Sequence, residues 1–133
     1  MSLERVKKIL TQKEDIRLEF KESRTDLPGN LFETICSMLN REGGDILLGV
    51  ADDGTIKGID PTRIDIIKNN LVTLSNNPNK LDPPFILFPK MYEVKGSSII
   101  HIQVPESSQL HRSASVVYDR SSDGDFKVTQ PQL

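Results

Sequence analysis

The chain is short of cysteine, of long apolar runs and of any excess of one charge. A single cysteine, Cys36, excludes an internal disulfide framework and any multi-cysteine zinc site. No apolar run approaches the ~20 residues needed to cross a bilayer. The N-terminus, Met1-Ser2-Leu3-Glu4-Arg5-Val6-Lys7-Lys8, lacks the hydrophobic centre of a secretion signal. The expected compartment is therefore the cytoplasm. Seventeen Lys and Arg stand against 19 Asp and Glu, and a net charge of −2 advertises no overall basic character of the kind that signals nucleic acid. The Gly-x-x-x-x-Gly-Lys-Ser/Thr pattern that cradles nucleotide phosphates is absent, since Gly43-Gly44 has no following lysine and hydroxyl. Neither His101 nor His111 has a cysteine or second histidine at zinc-binding spacing. No serine has a base at recognisable spacing, and there are no internal repeats. His101 alternates with Ile100 and Ile102, as a surface-facing or hydrogen-bonded histidine would.

What remains is an ordinary globular composition, 36% apolar and 27% charged, over 133 residues. That length is one domain, 1–133, with a real core. The most informative stretch is Asn40 to Gly58, where Gly43-Gly44 releases a helix, an apolar run makes a buried strand and Asp53-Gly54 turns the chain back. Asp52 and Asp53 are thereby expected at the exposed mouth of a buried strand.

Periodicity supplies the other elements. Leu3 to Leu10 carries apolar residues at helical spacing, and Ile16 to Lys21 alternates as a strand. Thr25 or Asp26 caps a helix that Pro28 helps to start and that buries Leu31, Phe32, Ile35, Cys36, Met38 and Leu39. Ile46 to Ala51 is apolar on both faces, and Thr55 to Ile59 is expected to pair back against it. Asp60-Pro61 opens a second long helix with Ile64, Ile67, Leu71 and Leu74 as its inner stripe. Strands follow at Phe85 to Val94, Ser98 to Val104 and Ser115 to Arg120, with Ser121 to Leu133 loosely held. The resulting order, β-α-β-β-α-β-β-β, predicts an α/β (α+β) fold with a small mixed sheet and packed helices. Two helices cover both faces of a sheet only if the sheet is small or a partner copy helps, which leaves a homodimer as one alternative.

Several short motifs occur in order: Glu19-Phe20-Lys21-Glu22-Ser23, Leu27-Pro28, Glu33-Thr34-Ile35-Cys36, Asn40 with Gly43-Gly44, Gly49-Val50, Asp53-Gly54 and Gly58. Val104-Pro105-Glu106-Ser107 and Tyr118-Asp119-Arg120 complete the series. Together they resemble the Schlafen AlbA_2 domain family, over about residues 14–121. The resemblance implies a DNA-binding domain at the N-terminus of a longer bacterial transcriptional regulator, a class once labelled divergent AAA ATPase. It also implies a second role, because vertebrate Schlafen relatives cleave structured RNA through clustered carboxylates and a divalent metal. Ala51 stands where the family is often acidic, so Asp52 or Asp53 must serve in that role. The close Arg120-Ser121-Ser122-Asp123-Gly124 also departs from the family's earlier glycine.

Three functional expectations follow. The first is a nucleic-acid partner, DNA foremost, held through phosphate contacts by Arg17, Lys21, Arg24, Arg41, Arg112 and Arg120, with backbone amides near Gly43-Gly44 assisting. The second is a metal-dependent endoribonuclease in which Glu14, Glu19 and Asp52 hold Mg²⁺ or Mn²⁺ and Lys21 steadies the phosphate. No cofactor is expected outside that reading. The third is a dimerisation or scaffold domain that touches no nucleic acid.

Overall fold

The computed structural model describes residues 2–122 and 124–129. Helix α1 (Leu3–Ile9) starts where Ser2 Oγ accepts the Arg5 amide at 3.2 Å, and it buries Val6 and Ile9. Strand β1 (Leu18–Lys21) begins two residues later than the alternation predicts. The carboxylate of Asp15 accepts the Arg17 amide, and Asp15 and Leu18 exchange backbone hydrogen bonds. This local turn competes with the ladder and takes residues 16 and 17 out of it.

Helix α2 (Leu31–Asn40) also starts late. Asp26 is engaged by Arg63 at 2.9 Å and Thr25 by the same guanidinium through its carbonyl, so neither caps the helix. Asn30 takes the cap position, with its Oδ1 turned to Lys21 Nζ instead of to the helix. Gly43, at φ +72°, returns its amide to Met38 O at 2.7 Å and ends α2. The pair Gly43-Gly44 is also a wedge. A Cβ on Gly43 would lie 2.4 Å from Val104 O, and one on Gly44 would lie 2.5 Å from Arg17 O. The Arg41 and Gly43 amides are both spent on Met38 O and the Asp45 amide on Arg17 O, so these three offer nothing to a phosphate.

Strand β2 (Gly44–Leu48) runs parallel to β1 and antiparallel to β4 (Ser97–Val104), which forms a hairpin with β3 (Lys90–Val94). The sheet order is β1-β2-β4-β3. The expected return strand at Thr55 to Ile59 does not form; only a Val50–Ile56 bridge remains. Both edges of β2 are already occupied, by β1 and β4, and the segment instead sends the Lys57 and Gly58 amides to Gly49 O. The expected strand from Phe85 is likewise confined to Lys90–Val94, because Pro83, Pro84 and Pro89 withhold donors upstream. Asp60 caps a 3-10 turn (Pro61–Arg63) that leads into α3 (Ile64–Ser75), with Ile64, Ile67 and Leu71 buried as predicted.

A second sheet was not expected. It joins β5 (Arg112–Ser113), β6 (Val116–Ser121) and β7 (Gly124–Lys127) in that order. Strand β7 falls in the stretch predicted to be loose; Asp123 and residues 130–133 lie outside the described residues. Helix α2 packs against this sheet as well as the first, so even its Thr34 and Ser37 are buried.

Both faces of the main sheet are covered. Ile46, Leu48, Ile100, Ile102 and Val104 meet α2 and α3. Leu18, Phe20, Leu47, Tyr92, Val94 and Ile99 meet Val6 and Ile9 of α1. With α1 on the second face, the sheet needs no partner copy to shield it. No helix among the described residues is long and apolar enough to cross a membrane.

Candidate nucleic-acid interface

The carboxylates gather only in part. Glu14 Oε2 accepts the Phe20 amide at 2.9 Å and so closes the outer edge of β1. Its carboxyl is pushed up to about 7 by burial first, then by a hydrogen bond with Glu19 and repulsion from Glu19 and Asp52, against the lowering effect of the Phe20 amide. Glu14 therefore keeps its proton up to near neutrality. Asp52 is exposed in the following turn and acts on Glu14 only as a neighbouring charge. Asp53 makes the turn itself, its Oδ1 accepting the Thr55 amide at 2.9 Å. The Thr55 hydroxyl and amide hold the Asp53 carboxyl below the usual range.

A divalent ion needs several carboxylate oxygens converging on one point. Among the described residues no three His, Cys, Asp or Glu side chains converge in that way. Glu19 is moreover committed to Arg120, with Oε1 3.3 Å from Nη1. The arrangement Glu14, Glu19 and Asp52 does not fit the metal that the nuclease expectation requires.

Arg120 departs furthest from its expected role as a phosphate contact. It is 3% exposed, and its five N–H groups are all used within the protein. Nε donates to Ile16 O at 3.0 Å, Nη2 to Asp15 O and Leu18 O, and Nη1 to Glu19 and to Asp125 at 2.8 Å. Asp125 is in turn bonded to the hydroxyls of Thr34 and Ser37. Arg120 thus ties the second sheet to the turn before β1. A sequence signal existed: Arg120 lies two residues after Tyr118 on one strand, and both face inward.

The remaining cations divide. Arg41 is held in a two-pronged pair with Asp119 at 3.0 and 2.6 Å. Lys21 Nζ donates to Asn30 at 2.9 Å, and Arg112 is half-buried in β5. Arg17 and Arg24 are exposed. Of the expected set, Arg24 lines a hollow of about 410 Å³, which it shares with Lys57 and with the carboxylates of Asp60 and Glu93. A second hollow of about 630 Å³ adjoins it at Ser97 and carries Lys7 and Lys95. None of these four cations is within ion-pair distance of a carboxylate among the described residues. Lys57 and Lys95 escaped the sequence reading because each sits in a separate turn beside glycine, and only the β3–β4 hairpin brings them to one end of the sheet.

The two histidines are structural. His101 is buried and lies 2.7 Å from Asp45 Oδ1. His111 is buried too, with Nδ1 2.6 Å from Pro83 O and Nε2 2.7 Å from Ser107 Oγ. A carbonyl can only accept, so Nδ1 carries the hydrogen that bonds Pro83 O. Asn40 secures the same loop, accepting the His111 amide and donating to His111 O and Tyr118 O. Cys36 packs beneath it, and burial pushes its thiol up to about 11.

The sequence matches the family model described as Schlafen, AlbA_2 over residues 14–129. Among solved structures, the chain resembles the DIP2311 protein of Corynebacterium diphtheriae at 21% identity and a TM-score of 0.67, covering 95% of this chain and 29% of that one. It also resembles the N-terminal domain of a RecG-related protein from Nitrosomonas europaea, at 23% identity and a TM-score of 0.57, covering 76% of this chain and 70% of that one. Comparison with curated proteins finds no match.

Proposed function

We propose that this chain, which belongs to the Schlafen AlbA_2 family, binds nucleic acid through the end of its main sheet that carries Lys7 and Lys95. The observation that carries the reading is the larger hollow, where Lys7 and Lys95 stand with no carboxylate in its lining in a chain whose net charge is −2; Arg24 and Lys57 lie in the adjoining hollow, beside Asp60 and Glu93. Charge gathered on one face against the overall balance is an electrostatic footprint for phosphates. The context agrees, since one structural relative is named for an ATP-dependent DNA helicase. Within this reading the ligand is DNA and the host is a cytoplasmic transcriptional regulator, on the strength of the family resemblance.

Fluorescence anisotropy with a labelled 20-base-pair duplex between 50 and 200 mM salt tests it. Four phosphate contacts give a slope of about −3.6 in log affinity against log salt, roughly a hundredfold loss across that range. The double variant Lys57→Ala/Lys95→Asn should halve the slope. No affinity at 50 mM salt, or a slope untouched by the double variant, overturns the proposal.

A further inference from the structure

The larger hollow is roomier than phosphate contacts require. Its floor is apolar and comes from three separate segments: Leu10 at the end of α1, Ile56 after the aspartate turn and Val94 at the end of β3. Lys7 and Lys95 flank this floor, and the hydroxyl residues Thr55 and Ser97 line it beside them. Gly54 keeps the turn pressed against α1, because a Cβ there would come within 3.1 Å of Leu10 O. Phosphate binding alone explains the lysines but leaves the apolar floor without a use.

A duplex keeps its bases stacked inside and presents phosphates outward, so it would rest on the lysines with the floor uncovered. A single strand can turn a base outward, and every base has an apolar face that packs on such a surface. We propose that the hollow between Leu10, Ile56 and Val94 receives the base of an unpaired nucleotide, while Lys7 and Lys95 hold the flanking phosphates. The inference rests on the nucleic-acid reading and narrows it to strands with unpaired positions. An alkyl floor discriminates little among bases, so preference for one sequence is not expected.

Anisotropy at 50 mM salt with a ten-nucleotide single strand, the same strand paired to its complement, and thymidine 5′-monophosphate as competitor tests the inference. The single strand should bind about fivefold more tightly than the duplex, or better, the gain expected from burying about 40 Å² of apolar surface. Ile56→Ser should abolish that preference with duplex affinity retained, a thermal melt confirming that the variant folds. Lys95→Asn, which tolerates the φ of +52° at this turn, should weaken both forms. Equal affinity for strand and duplex on the unaltered chain overturns the inference and leaves the broader reading standing. So does a monophosphate that competes as well as the strand binds, which would assign the hollow to a free nucleotide. Failure of every nucleic acid to bind overturns both readings.

Discussion

Replacing Arg120 with methionine removes a cation whose surroundings were built around it. Two carboxylates, Glu19 and Asp125, lose their positive partner while their side chains stay 17% and 14% exposed. Three backbone carbonyls, of Asp15, Ile16 and Leu18, lose their donor as well. Breaking a buried ion pair from one side costs about 3–5 kcal/mol, because the remaining charge is left without compensation. A chain of this length has a total stability of roughly 7–20 kcal/mol, so the variant should lose a large share of it. The expected drop in Tm is about 10–20 °C. Urea denaturation followed by circular dichroism measures the loss directly. The triple variant Arg120→Met/Glu19→Gln/Asp125→Asn then separates lost packing from stranded charge, and it should recover about half of the deficit. A single variant within about 1 kcal/mol of the parent would refute the reasoning. So would one that stays folded and stable yet loses nucleic-acid affinity, since that would return Arg120 to the binding surface.

Glu14 gives a pH dependence whose sign is opposite to that of most paired carboxylates. Its folded value of about 7 lies above the ordinary 4.5, so the folded state holds an extra proton between those values and stability falls as pH rises through that window. Solvent screening at this partly exposed site limits the total to about 1–2 kcal/mol. Glu14→Gln should flatten that slope in urea midpoints taken from pH 4.5 to 7, and a parent curve already flat there would contradict the raised Glu14 carboxyl. Gly43→Ala and Gly96→Ala form a contrast, since both positions have φ near +75° but only Gly43 is enclosed. Thermal melts should show about 1 kcal/mol lost at Gly96 and at least about 3 kcal/mol at Gly43; equal losses would sink the close-approach argument. Asn40→Ala removes three hydrogen bonds to the His111 loop and β6. It should cost about 2–3 kcal/mol in urea, and a loss under 0.5 kcal/mol would mean that water replaces it fully.

Elements governed by neighbours in the chain were legible before any coordinates. Asp60-Pro61 opens α3 because capping and a fixed φ act within one turn, and the stripe Ile64, Ile67, Leu71 follows from a single period. The failures are non-local. Thr55 to Ile59 reads as a return strand until β4, some forty residues on, takes the edge of β2. Glu19 and Lys21 share a charged strand face in the sequence, but Glu19 meets Arg120 from a sheet that the reading did not contain. Of the proposed interface, Arg24 was visible as an exposed loop cation, whereas Lys57 and Lys95 needed the hairpin to make them neighbours of Lys7.

The knot of contacts around Arg120 also bears on the order in which the chain acquires its shape. During synthesis the turn at residues 15–18 emerges about a hundred residues before the guanidinium that joins its carbonyls to Asp125. Until then α2 has no complete second sheet to lie against, and before Ser97–Val104 emerges β2 has its parallel neighbour but lacks β4. Contacts so distant along the chain carry a closure cost before they return any stability. The nascent domain must therefore wait for its last third, and a ribosome stalled ahead of Ser97 would present an open half-sheet to the cell's chaperones.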